Sequence, residues 1–238
     1  MLNSKEQMGL VLPDLSLSPE AGYPAYYDVV LSELACRRVV LETALAQFMA
    51  RANSVADAAE LLVETLRSGH KVLVAGNGGS AAEAQHFAAE LVGRFKKERE
   101  AYPVLSLTTD TSILTAVAND YGYADVFARQ IRAFGQAGDL FVAFSTSGES
   151  ENLVRAARIG RRSQMNVLAV TGERPSRLER LARVAVRVPA VDTAIAQELH
   201  MMVTHILCGI VESELASCNV YGNESSCTSS QGNGEPTA

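Results

Sequence analysis

Residues 73–91 read LVAGNGGSAAEAQHFAAEL, and the rest of the chain falls into place around them. An apolar run, Val72–Ala75, ends in Gly76-Asn77-Gly78-Gly79-Ser80, and an alanine-rich segment follows. A short apolar run that empties into glycines and then into helical patterning predicts a strand–loop–helix unit. Glycines let the backbone approach a ligand closely. A helix starting at Ser80 points unpaired N–H groups at whatever sits above the strand end. Behind the loop, His86 and Glu90 lie four residues apart and share one helical face.

The same alternation continues outward. Candidate strands are Lys71–Ala75, Pro103–Leu107, Leu140–Phe144, Asn166–Val170 and Val184–Val188, with helical patterning at about 80–95, 111–135, 149–163 and 175–182. Strands separated by helices imply right-handed crossovers and a buried, mainly parallel sheet. From Tyr26 to Arg67 the apolar residues recur at helical spacing, which predicts two helices broken near Ala52-Asn53-Ser54, with Ser54 capping the second. A last helix, about 193–216, is apolar on more than one side, as befits a bundle or a subunit interface. Residues 1–26, with Pro13, Pro19 and Pro24, read as an arm, residues 27–216 as the α/β domain, and residues 217–238 as a disordered polar tail.

The 238 residues, 47% of them hydrophobic, suffice for one sizeable core. A formal net charge of −6 argues against general nucleic-acid binding, which needs clustered cations. No apolar run approaches the roughly 20 residues that span a bilayer, and the N-terminus lacks a signal-peptide pattern. The four cysteines (Cys36, Cys208, Cys218, Cys227) form no CxxC pair. Reduced thiols, a cytoplasmic location and no membrane partner are expected.

Gly76-x-Gly78-x-x-Ala81 formally satisfies a dinucleotide fingerprint. That fingerprint wants an acid about 20 residues on, at the end of the second strand. The first acid beyond the second strand is Asp110, so the spacing fails and a smaller ligand fits better. A second polar loop follows the third strand, Ser145-Thr146-Ser147-Gly148-Glu149-Ser150. Hydroxyl donors plus helix N-terminal amides at a strand's carboxyl end suit a phosphate. With no lysine in the loop it is not a Walker motif.

Taken alone, His86 and Glu90 read as a surface pair. Gln197 and His205 stand eight residues apart on the last helix, about 80° around it, so both can lean toward one site. His200, about 140° from His205, reads as a packing residue, and His70 as a loop residue.

AGNGGSAAEAQHFAAELVGRF, TAVANDYG, FSTSGES and AQELHMMVTH, in this order, resemble the phosphoheptose isomerases of the sugar-isomerase (SIS) superfamily over about residues 27–216. The resemblance implies a five-stranded parallel sheet flanked by helices, in a homotetramer with sites shared between subunits. It implies that Ser145, Thr146, Ser147 and Ser150 hold the phosphate of a sugar 7-phosphate. Asn77, Gly78, Gly79, Asn119 and Asp120 would touch the sugar, as would Glu90 and Gln197. His86, Glu90, Gln197 and His205 match the positions that bind zinc, one per subunit. Glu90 and His205 match the acid–base pair, with Glu90 as base and His205 as acid. Glu149 stands where the family usually has asparagine, and a carboxylate there is unfavourable unless it points outward.

The implied reaction converts sedoheptulose 7-phosphate to D-glycero-D-manno-heptose 7-phosphate through an enediol. A second reading is a non-catalytic SIS-domain protein acting on the replication initiator. Such relatives lack a carboxylate at position 90 and an imidazole at position 205, and both are present here. A third is an isomerase of another sugar phosphate in secondary metabolism.

Overall fold

Residues 25–216 are described by the structure, a computed structural model. The expected arm, except its last two residues, and the expected tail from 217 onward lie outside these residues. The elements run α1 (Tyr27–Met49), α2 (Ala52–Arg67), β1 (Val72–Ala75), α3 (Gly79–Val92), β2 (Val104–Ser106), α4 (Thr111–Tyr121) and α5 (Val126–Phe134). They continue with β3 (Leu140–Ser145), α6 (Glu151–Arg162), β4 (Asn166–Thr171), β5 (Val184–Arg187) and α7 (Thr193–Leu215).

All five strands pair in parallel, in the order β2-β1-β3-β4-β5. Strand side chains alternate between faces, so each apolar strand feeds two cores. Val72, Val74, Val142 and Phe144 pack with Leu62 of α2, Phe87 of α3 and Leu199 and Val203 of α7. Leu73, Ala75, Phe141 and Ala143 pack on the other face with Phe127 and Ile131 of α5 and Leu153 and Val154 of α6. Burial on both faces is why these strands read as continuous apolar runs.

Several boundaries differ from expectation, each for a local reason. The predicted 111–135 helix breaks at Gly122, whose φ of 85° ends α4. A 3₁₀ turn, Tyr123–Asp125, then leads into α5. Residues 175–182 form only a short 3₁₀ turn, Glu179–Leu181. Ser54 does not cap α2. It lies inside the helix and its hydroxyl donates to the Arg51 carbonyl at 2.8 Å. Arg51 occupies the cap position, and its guanidinium grips both oxygens of Glu173 at 2.7 and 2.9 Å.

Contrary to the expectation that no segment is long and apolar enough, α7 could cross a membrane by length and composition, with 23 residues and an 18-residue window of mean hydropathy 1.4. Half of that stretch is buried here, packed on α2 and α3, as in the core helix of a folded domain. Near its end, the buried Glu212 carboxylate accepts from the backbone N–H groups of Phe95, Lys96 and Lys97 at 2.7, 2.8 and 3.1 Å. The Arg99 guanidinium lies 3.4 Å away. Burial alone would raise this carboxyl, but the three amides and Arg99 outweigh it and hold it below the usual range. Glu212 thereby ties the loop after α3 to the last helix.

Candidate active site

The connections from β1 to β2 and from β1's neighbour β3 onward run to opposite sides of the sheet. The point where strand order reverses, between β1 and β3, opens a crevice at the carboxyl ends of the strands. The glycine loop follows β1 and the hydroxyl loop follows β3, so topology alone makes them neighbours.

Side chains lock the two loops together. The Asn77 and Asn152 carboxamides exchange hydrogen bonds at 2.9 and 2.8 Å, and the Tyr123 hydroxyl donates to Asn77 Oδ1 at 2.9 Å. The Asn77 side chain is thus engaged within the protein. Between the loops lies a cavity of about 320 Å³, lined by Gly78, Gly79, Thr146, Ser147, Ser150 and Gln197 among others. Ser145 Oγ accepts from Gly148 N at 3.1 Å, and Ser147 Oγ accepts from Glu149 N at 3.2 Å. Each hydroxyl proton is left to donate elsewhere. Ser150 stands at the N-terminus of α6 and makes no side-chain capping bond. Hydroxyl donors, the α6 amides and the dipole together form a cradle for an anion.

A Cβ on Gly79 would lie 2.3 Å from Gln197 Nε2, so a side chain there would displace the Gln197 carboxamide from its place against the glycine loop. Gln197 and Gly79 also line the adjoining groove, of about 450 Å³, which holds His86. Gln197 therefore stands between the cradle and a second cluster.

That cluster consists of His86, Glu90 and His205. His86 Nε2 lies 3.2 Å from His205 Nε2 and 3.0 Å from Glu90 Oε1, and one ligand atom from each residue fits within 4.8 Å of the others. Tetrahedral nitrogen and oxygen ligands of zinc stand roughly 3.3–3.5 Å apart, so the spacing suits a metal ion. The Phe95 ring stacks on His205, with centroids 5.4 Å apart and planes 11° from parallel.

Asn119 and Asp120 are not among the residues that line the cavity between the two loops. Both are exposed on α4, and the Asn119 amide donates to the Asp120 carboxylate at 2.8 Å. Glu149 does point away, toward Arg177. His200 is buried as a packing residue against Phe144, with Nδ1 3.4 Å from the buried Glu83 Oε2. His70 lies in the turn before β1, 3.8 Å from Asp139. Sequence reasoning missed Phe95, Tyr123, Asn152, Glu83 and Arg177. Glu83 and Phe95 lie inside the first quoted motif, and Asn152 lies two residues past FSTSGES. Tyr123 and Arg177 reach Asn77 and Glu149 across the fold, which no spacing rule detects.

Residues 38–172 match the SIS domain, which sets the class of the fold. A phosphoheptose isomerase from Pelobacter propionicus is 46% identical over 188 residues, 79% of this chain and 98% of the relative. One from Helicobacter hepaticus is 46% identical over 170 residues, 71% of this chain and 85% of that one. The structure of phosphoheptose isomerase from Neisseria gonorrhoeae aligns with TM-score 0.73 and 37% identity, covering 77% of this chain and 99% of that one. The chain belongs to the phosphoheptose isomerase family.

Proposed function

We infer that the protein is an aldose–ketose isomerase converting sedoheptulose 7-phosphate to D-glycero-D-manno-heptose 7-phosphate. The observation that carries this reading is the convergence of Glu90 and His205, from two different helices, beside a hydroxyl-lined anion cradle. A purely binding role needs the cradle alone.

Ser145, Thr146, Ser147 and Ser150 donate to the phosphate and fix one end of the sugar. Glu90 takes the proton from C1 while His205 gives a proton to O2, and the enediol forms. Glu90 then returns its proton to C2 as His205 takes the proton from O1, leaving the aldehyde and an enzyme in its starting state. Positioned groups of this kind contribute about 10²–10⁴-fold each. Gln197 and His86 border the same groove and orient the sugar oxygens.

His86, Glu90, Gln197 and His205 would hold one zinc per subunit, which would supply Lewis-acid polarisation of the substrate's oxygens. Glu90 would then serve two roles, ligand and base. The assembly is a homotetramer with sites shared between subunits, in the cytoplasm. Free Cys36 and Cys208 accord with that compartment.

The test incubates purified protein with sedoheptulose 7-phosphate and follows the aldose by NMR. Appearance of D-glycero-D-manno-heptose 7-phosphate is expected. Unchanged ketose, with and without added zinc, would overturn the assignment. Elemental analysis of protein prepared without chelator should find about one zinc per chain, from the ligand set above.

A further inference from the structure

We propose that Arg177 is a positioning residue for the phosphate cradle, holding the Glu149 carboxylate on the side of the loop away from the anion. The proposal rests on the reading of that loop as a phosphate site.

Glu149 stands between Gly148 and Ser150, inside the cradle's own loop. A carboxylate free to swing there would repel a phosphate dianion. The structure shows where it goes instead. The cradle cavity is lined by Thr146, Ser147 and Ser150 but not by Glu149, which lines an adjoining cavity of about 340 Å³ that shares Thr146 and Ser147 with the cradle and adds Glu173 and Arg174.

Arg177 accounts for that placement. Its backbone N–H donates to Glu149 Oε1 at 2.7 Å and its Nε to Oε2 at 2.6 Å, so both carboxylate oxygens are engaged. Nη2 donates to the Glu149 carbonyl at 2.5 Å, and Nη1 to Glu151 Oε2 at 2.8 Å. One guanidinium thus grips the side chain and the backbone of Glu149, and the first residue of α6 as well. The backbone on either side follows the same path. Gly172 N donates to the Thr146 carbonyl and Leu178 N to the Gly148 carbonyl, each at 3.1 Å, laying the 172–178 segment along the loop. Hydrogen bonding from Arg177 also holds the Glu149 carboxyl below the usual range, so protonation gives it no other way to escape the phosphate's charge.

A purely structural role predicts something different. Exposed ion pairs contribute little to stability, and the Arg177 and Glu149 side chains are 36% and 47% exposed. Losing Arg177 should therefore leave the fold intact and act on anion binding.

The experiment titrates inorganic phosphate by calorimetry, and measures KM and kcat with sedoheptulose 7-phosphate, for wild type, Arg177→Ala, Glu149→Gln and the double variant. Arg177→Ala should weaken phosphate binding and raise KM by about tenfold, the scale of one added like charge a few ångströms away in a half-solvated site. Its kcat and melting temperature should stay near wild type. Glu149→Gln should bind phosphate at least as well as wild type. The double variant should return to within about twofold of Glu149→Gln, because the charge that Arg177 restrained is gone.

Wild-type binding in Arg177→Ala would overturn the proposal. So would a double variant as weak as Arg177→Ala, which would make Arg177 an anchor of loop shape only. If Arg177→Ala fails to fold, Arg177→Met, which keeps the aliphatic stem, takes its place, and unfolding of both would overturn the proposal too. Phosphate titration does not depend on turnover. The expected pattern in a protein that isomerises nothing would uphold Arg177 and sink the isomerase reading. A flat pattern in an active isomerase would do the reverse.

Discussion

His205 is fixed by neighbours of three kinds: the His86 nitrogen, the Phe95 ring and its own place on α7. Removing a group that reacts and removing one that orients should leave different signatures. Glu90→Gln keeps size and hydrogen bonding but loses the base, so kcat should fall by about 10²–10⁴-fold. Its titration with inorganic phosphate should be unchanged, and zinc content must be measured alongside. Normal turnover with unchanged metal would rule Glu90 out as the base. Ser147→Ala with Ser150→Ala should do the opposite, raising KM while activity recovers at high substrate. Phe95→Ala should lower kcat several-fold, and Phe95→Tyr should restore it. The pairing of His86 with Glu90 was legible because helical spacing announces neighbours four apart. The Phe95–His205 stack was not, since its partners come from the loop after α3 and from α7. Asn119 and Asp120, expected at the sugar, are exposed on α4 and bonded to each other.

At the scale of elements, α3 and α7 carry the cluster, and the fold holds them in register through Glu212. This carboxylate ionises more readily folded than unfolded, because amides and Arg99 surround it. Its contribution to stability is therefore full above the ordinary carboxylate range and is lost as pH falls through its depressed folded value. Urea unfolding of wild type should show decreasing stability in acid. Glu212→Gln should be less stable at neutral pH and should lose less on acidification. Equal acid sensitivity in both proteins would show that another group controls this region. The strands were readable to within a residue or so at each end because burial on both faces leaves continuous apolar runs. The helices were less so. The pattern through 111–135 stays helical on both sides of Gly122, so periodicity hides the break that a positive φ makes. Residues 175–182 yield their regularity to the bonds that Arg177 and Leu178 make with the loop after β3.

At the scale of the whole molecule, a single copy leaves much apolar surface uncovered. Val29, Val30 and Leu34 of α1 are more than half exposed, and Met202 and Ile206 of α7 border a groove that reaches His205. Covering such surface favours association, and light scattering should report four copies, unchanged on deleting residues 219–238. A stable monomer would contradict the shared-site reading. The sequence made the long apolar helix visible, but which of its sides meets another copy depends on packing that no single chain's periodicity contains. During synthesis, β1 leaves the ribosome long before β3, its partner through the Val72–Leu140 register. At roughly 5–20 residues per second, the first half of the phosphate site waits several seconds for the second. Long-range parallel pairing is slow even in a finished chain, because a large loop must close before any contact rewards it. In refolding from urea, phosphate binding should therefore return only with the slowest phase that rebuilds the sheet. A competent phosphate site appearing earlier would contradict that order.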